Sequence, residues 1–468
     1  MYLTFVETCG LPAVKGLEGK SLASTLRQPS TAEESKVIYM RLINTVVLAM
    51  SLFAAVCFVP VVKADQLAKF ASTRTVNRDS LTGKVMVGYQ GWFNCDGDGS
   101  NLGWTHWARD RRRRPSPGNV TVDLWPDVSE FDPDERYATG FRHANGKVAE
   151  VFSSANRKTV LRHFNWMRDY SIDGAFVQRF VNELRRTEHR RNRDSVLDHV
   201  RNATKQTGRV YAVMYDLSGL PAGGVKRVIE DWKTLRTEKR VTADKTYLRH
   251  DGKPLVAVWG IGFNDRSKPR NYTLAECRDL VIRLRNGGCA VMLGVPTGWR
   301  ELNRDSVSDS KLHGILKLAD IISPWTPGRY ANPKDVSRHA AEYWKPDGKW
   351  CAARQLDYMP VVFPGFSWHN LKGEKLGAIP RLKGQFFWSQ MVAAKRSGAR
   401  MIYVAMFDEV DEGTAIFKCT DNPPVGKGVS FLSNDGLPSD HYLWLTGQGG
   451  RLLRGELPMT ERLPGRSK

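Results

Sequence analysis

"RVYAVMYDLSGLPAGGVKRVIEDWKTL" occupies residues 209–235. Its opening is a short run rich in β-branched and aromatic residues, of strand length. A stretch rich in Gly and Pro interrupts it. The remainder, from residue 225, reads as an amphipathic helix. Strand, turn and helix together make one βα unit, and the pattern extends in both directions. Further strands are predicted at 84–93, 173–181, 253–263, 289–299, 320–330, 358–370 and 400–407. Helices are predicted at 157–172, 193–208 (stopped by Gly208), 273–288, 310–319, 335–344 and 383–399. Eight alternations in about 330 residues predict an α/β fold, a (β/α)8 TIM barrel, rather than an open sheet. Residues between the first strand and first helix form an N-terminal loop insertion, and the chain beyond the last strand a C-terminal extension.

Composition sets the limits. The chain has 468 residues, 41% hydrophobic, with 14 Trp, so a large core is available. An apolar run from Leu42 to Val62 follows Arg41 and precedes "VKAD". This predicts a signal peptide at 40–64, with 1–39 an annotation extension or disordered. The expected organisation is a linker at 65–83, a (β/α)8 domain at 84–445 and a tail at 446–468. Export to the periplasm or exterior is expected, or membrane anchoring if the leader is retained. The formal charge is +21; without the six basic and four acidic residues of positions 1–64 it is +19. Runs such as "RDRRRR" (109–114) and "RRTEHRRNR" (185–193) suit polyanions or a solvated basic face. For an exported chain, an anionic glycan is the expected partner rather than nucleic acid. Of seven Cys, five follow the leader, with wide spacing and no CxxC, which disfavours zinc. An exported context permits one or two disulfides, and the spacing does not fix their pairing. "DGDGSNLGW" (96–104) starts like a calcium loop but has Trp107 where the twelfth-position Glu belongs. No metal and no cofactor are expected. There is no G-x-S-x-G elbow, phosphate loop or dinucleotide fingerprint.

In such a barrel, chemistry sits at the C-terminal ends of the strands. The residues there include Tyr89 and Trp92, Gln178 and Arg179, Tyr215 and Asp216, Trp259, Trp325, Arg329, Trp368 and His369. The last strand ends in "FDEVDEGT" (407–414), with four carboxylates in five residues. Aromatic rings around carboxylates fit sugars, whose C–H faces stack on rings and whose hydroxyls meet polar groups. Cleaving a glycosidic bond needs one protonated and one ionised carboxyl. Glu409 and Glu412, three residues apart on a tight turn, are the predicted catalytic pair. Asp408 and Asp411 are expected to support them while pointing elsewhere. Predicted substrate contacts are Tyr89, Trp92, Tyr215, Asp216, Trp259, Trp325, Trp368, His369 and Asp408. His106 is read as local loop structure, and Arg179 as the partner of a barrel carboxylate.

"YVAMFDEVDEGTAIF" resembles the F-N-E-W-H-E-G-T segment of glycoside hydrolase family 99, the endo-α-mannosidase and endo-α-mannanase family. "GYQGWF", "LRHFNWMRDYSIDGAFVQRF", "FPGFSWHN" and "FLSNDGLPSDHYLWLTGQ" extend the resemblance to the wider family 71/99-like bacterial exported proteins, over residues 84–445. The resemblance implies a metal-independent retaining glycosidase with a (β/α)8 fold. By it, Glu409 would deprotonate the sugar's own 2-hydroxyl, which attacks the anomeric carbon, and Glu412 would serve as acid and then base. The family's Asn, Trp and His stand as Asp408, Val410 and Asp411. Two alternatives stay open: a xylosidase/arabinosidase activity, a label often given to such chains, and a non-catalytic carbohydrate- or envelope-binding protein.

Overall fold

A computed structural model describes residues 75–264 and 270–466. The predicted leader and residues 1–39 lie outside that range. In chain order the strands and main helices are β1 (Val85–Tyr89), β2 (Arg136–Arg142), β3 (Val148–Phe152), α1 (Arg157–Asp169), β4 (Gly174–Phe180), α2 (Thr187–Thr207), β5 (Val210–Asp216) and α3 (Lys226–Thr237). There follow β6 (Arg249–His250), β7 (Lys253–Trp259), α4 (Leu274–Asn286), β8 (Ala290–Val295), α5 (Lys311–Leu316), β9 (Ile321–Pro324), α6 (Pro333–His339) and α7 (Lys345–Ala352). Last come β10 (Asp357–Tyr358), β11 (Val361–Val362), α8 (His369–Lys372), α9 (Gln385–Arg396), β12 (Ile402–Val404) and α10 (His441–Leu453).

The main sheet is parallel and curled, in the order β10-β9-β8-β7-β5-β4-β1-β12-β11. With its helices it fits an α/β barrel. β10 pairs with β9, whereas β11, three residues further on, pairs with β12. Pro360 lies between them; it has no N–H to give to a ladder, and its carbonyl accepts from Tyr403 N at 3.1 Å. The core strands are buried along their whole length, as parallel strands covered on both faces must be.

Side chains alternate between the two faces of each strand. Tyr89 faces α1, where its hydroxyl lies 3.0 Å from His163 Nδ1. Arg179 and Tyr215 face α2 and α3, where Asp231 receives both: Arg179 Nε and Nη2 donate at 2.8 and 2.5 Å, and Tyr215 Oη at 2.6 Å. Asp194 takes a further Arg179 bond at 3.0 Å. The expected pairing of Arg179 with a carboxylate is therefore met by helix residues behind the sheet.

Several boundaries differ from expectation for physical reasons. β1 ends at Tyr89, because the backbone N–H groups of Gln90 and Gly91 turn to the Asp408 carboxylate. The predicted helix 335–344 continues to Ala352 through a π-helical turn at Ala340–Trp344. Pro346 can donate nothing to the Glu342 carbonyl one turn back; Arg300 Nη2 donates to it at 3.1 Å instead. The insertion holds an antiparallel β2–β3 hairpin that its polar sequence did not announce. Residues 75–83, read as linker, hydrogen-bond to the body through Val76 N→Gly208 O and Gly83 N→Arg400 O. α10 runs across the expected boundary at 445, with Leu452 and Leu453 buried. No disulfide joins the five described cysteines: Cys95, Cys277, Cys289, Cys351 and Cys419 are all buried and unpaired. "DGDGSNLGW" turns around Asp98, whose oxygens accept from Ser100 N and Oγ, Cys95 N, Asn94 Nδ2 and Ser153 Oγ at 2.6–3.1 Å. Among the described residues no helix is long and apolar enough to cross a membrane.

Candidate active site

The loop after β12 folds tightly on itself. Glu409 O accepts from Thr414 N and Ala415 N, and Met406 O from Ile416 N. Within it the four carboxylates separate into two pairs. Asp408 reaches back to β1 and takes Gln90 N on Oδ1 (2.8 Å) and Gly91 N on Oδ2 (2.9 Å). Asp411 meets His106 of the insertion, with Oδ2 3.0 Å from Nδ1. Glu409 and Glu412 both line one cavity of about 820 Å³ at the C-terminal end of the sheet.

Glu409 is 3% exposed. Gln90 Nε2 donates to its Oε1 at 2.5 Å and Thr414 Oγ1 to its Oε2 at 2.8 Å. Gln90 is itself clamped. Asp408 takes its N–H, and Arg193 Nη1 donates to the carbonyls of Gln90 (2.9 Å) and Gly91 (3.2 Å). Arg193 is balanced by Glu183 at 2.6 Å. Part of the 185–193 basic run is thus a buried clamp on the site, not a solvated face. Glu412 is half-buried, and its backbone is tied by Ser367 N→Glu412 O at 2.9 Å.

Gly413 joins the two catalytic candidates to Thr414 in the left-handed region at φ +64°. A Cβ there would lie 3.0 Å from Ser367 N and Cβ. Gly413→Ala is expected to cost roughly 1–2 kcal/mol of stability and to shift Glu412. Chemical denaturation alongside kinetics checks this.

Burial, then the charges of Glu412 and Asp411, raises Glu409 well above the usual carboxylate range. Burial, then Asp411, pushes Glu412 up to about 8; the Trp368 indole and Lys372 pull the other way. Asp408 rises to about 6 through burial, offset by the N–H groups of Gln90 and Gly91. Glu412 therefore binds its proton more tightly in the folded state. The stability this lends is full below the unfolded value of about 4.3 and lost as pH rises through about 8. Glu412→Gln, which does not titrate, is expected to gain Tm relative to the parent between pH 5 and pH 8.5. Thermal melts at both pH values read this; a flat difference contradicts it.

Of the predicted substrate contacts, Trp92, Asp216, Trp259, Trp325 and Trp368 line the cavity. The rings cluster: Trp92 stacks on Phe180 (4.9 Å between centroids) and on His106 (3.8 Å), and Trp259 packs on Trp325 (5.6 Å). Tyr89, Tyr215, His369 and Asp408 are not brought to it. Tyr89 and Tyr215 occupy the helix-facing side of their strands. His369 donates its backbone N–H to Asp123 at 2.7 Å, and its ring Nδ1 lies 2.8 Å from Glu374 O, so it fixes a loop. Asp408 supports the wall from behind.

Sequence reading missed Gln90, Tyr403, Arg270, Arg304 and Asp305 in this lining. Gln90 follows Tyr89 directly and has the opposite parity, which was a usable signal. Tyr403 sits within β12, its hydroxyl accepting from Gln178 Nε2 at 3.1 Å. Burial and then Glu409 hold that phenol well above its usual value, so it stays neutral. His106, read as loop structure, links Trp92 to Asp411. Among the described residues no protein atom pairs with Gln90 Oε1 or with the indole N–H of Trp92 or Trp259, although all are buried. Such groups ordinarily find partners. Among the described residues no group of three or more His, Cys, Asp or Glu side chains is arranged to hold a metal.

No protein-family model matches the chain, and no curated protein matches it. Among solved structures it is similar to the GH99 endo-α-mannosidase from Bacteroides thetaiotaomicron, with a TM-score of 0.58 and 15% identity, over 80% of this chain and 99% of that one. The same enzyme in complex with bis-tris propane aligns with a TM-score of 0.57 and 16% identity, over 80% and 99%. At these identities the likeness is one of fold: the chain has a glycoside-hydrolase-like α/β fold.

Proposed function

We propose that this protein is a glycoside hydrolase in which Glu409 and Glu412 carry the chemistry. The observation that bears most weight is two glutamates with raised pKa, presented by one loop to one aromatic-lined cavity. The reading includes an eight-stranded closed barrel, supported by the pairing of residues 357–362 with β9 on one side and β12 on the other.

Each carboxyl disfavours ionisation of the other, and the chemistry needs one of them charged and one neutral. Gln90 and Thr414 direct donors at both oxygens of Glu409. Glu412 has no such pair, so the charge belongs on Glu409 and the proton on Glu412. In the first step the Glu409 carboxylate takes the proton of the sugar's 2-hydroxyl as O2 attacks C1. The C1–O bond to the leaving sugar breaks, and that oxygen takes the Glu412 proton. The product is a 1,2-anhydro sugar. In the second step water attacks C1 and gives its proton to Glu412, while O2 recovers its proton from Glu409. Two inversions at C1 give net retention. Because the substrate supplies the nucleophile, both carboxyls can come from one strand end.

Activity that needs protonated Glu412 should fall as pH rises through about 8. The kcat–pH profile tests this, and the alkaline limb should be missing in any residual activity of Glu412→Gln.

A further inference from the structure

The cavity has two electrostatically different walls. Glu409 and Glu412 stand after β12. The ends of three adjacent strands, β7, β8 and β9, instead bring Arg270, Arg304 and Arg329 to the lining. Arg270 lies over the rings of Trp259 (5.3 Å) and Phe263 (5.5 Å), and its Nη1 donates to Ser218 Oγ at 3.2 Å. Among the described residues its Nε, which is buried, has no protein partner, and no carboxylate forms an ion pair with it. Asp216 feels its charge from beyond ion-pair distance. Arg304 likewise has no ion pair; it rests on the ring of Tyr343 at 4.9 Å. Arg329 Nε donates to Asp305 Oδ2 at 2.7 Å, but Asp305 also takes Thr297 N and Gly298 N. Among the described residues two carboxylates, Asp305 and Asp216, stand against three guanidinium groups, so this wall keeps a positive excess beside sugar-stacking rings. Guanidinium donors in a fixed planar fork suit carboxylate and sulfate oxygens.

Resting on the glycoside-hydrolase reading above, we propose that this wall is an anion subsite, and that the glycan acted on is acidic, with a carboxylate or sulfate ester on a sugar next to the cleaved bond. The aromatic faces hold that sugar's ring while Arg270 and Arg304 receive the anionic group. The chain's large positive charge would speed the encounter with such a polymer.

The test is calorimetric binding to the Glu409→Gln protein, in which turnover is expected to be at least a hundredfold slower. Two kinds of matched pair are the probes: galacturonate oligosaccharides with their methyl esters, and sulfated galactan oligosaccharides with their desulfated forms. The expected result is tenfold or greater preference for an acidic member over its neutral twin, falling at least tenfold in Arg270→Met and in Arg304→Met. The first pair reports a carboxylate, the second a sulfate. Arg304 is exposed, so its variant reads the subsite even if Arg270→Met folds poorly. Arg112→Ser, on the surface away from the cavity, should change nothing. Equal binding of both members, preference for the neutral ones, no binding at all, or acidic preference surviving both substitutions would each overturn the proposal. Turnover in the parent protein separates the two readings. A neutral glycan cleaved in a Glu412-dependent way removes the anion subsite but keeps the hydrolase; acidic binding without cleavage does the reverse.

Discussion

Glu412→Gln is expected to lower kcat on a natural glycan by about 10²–10⁴-fold with little change in KM, the range that general acid–base groups contribute. Glu412 is the neutral member of the pair, pushed up to about 8 by burial and Asp411. Gln keeps its shape and hydrogen-bonding reach but has no proton to lose. Glu409→Gln should cause a loss of the same order by a different route, because the amide cannot take the 2-hydroxyl proton. The two roles separate with an aryl glycoside whose leaving group needs no protonation. Its cleavage, followed by aryl release in a single turnover, should recover in Glu412→Gln and stay slow in Glu409→Gln. Recovery in the opposite variant would reverse the assignment. Glu412→Gln should not weaken the fold at neutral pH, since Glu412 is already uncharged there; Glu409→Gln sets an amide N–H against the donors of Gln90 or Thr414, and thermal melts read its cost.

The second large effect is structural. Asp231→Ala is expected to cost about 3–5 kcal/mol of stability, because it leaves Arg179, only 1% exposed, without its two-pronged partner. Asp194 retains one bond, which sets the lower end of that range. Tyr215 also loses its acceptor. The kcat of the protein that remains folded should be unchanged, because this network faces α2 and α3 and not the cavity. Urea denaturation with activity measured well below the transition distinguishes the cases. A fall in kcat at full folding would mean that the sheet's outer face is coupled to the site.

The sequence displayed the βα rhythm because parallel strands buried on both faces are almost wholly apolar, and the turns between them are rich in Gly, Pro and Asp. The β2–β3 hairpin escaped because β2 is polar and largely exposed, and β3 is only a five-residue strand. α2 begins six residues before its predicted start, since Arg193 and Asn192 are buried polar residues that break the expected apolar stripe. Within the site, the carboxylate pairing was legible: a three-residue step in a tight loop returns to the same side, so Glu409 goes with Glu412 and Asp408 with Asp411. The neighbours at the strand ends were harder. Adjacent residues such as Tyr215 and Asp216 were both taken as candidates, although alternation allows only one of them to face the cavity. Asp216 lines it, which by parity sends Tyr215 outward. What no local pattern could give was contact across the barrel: Gln90 on Glu409, Arg193 on the Gln90 carbonyl, and His106 on Asp411 join residues 103 to 319 positions apart.

The central claim is that Glu409 and Glu412 cleave glycosidic bonds in this cavity. The most direct measurement is reducing-end release from a panel of α-mannosides, α-glucans, pentosides and acidic glycans by the parent protein, Glu409→Gln and Glu412→Gln. The account predicts release by the parent on at least one member, with both variants reduced at least a hundredfold on that same glycan. Turnover that persists in both variants would contradict it.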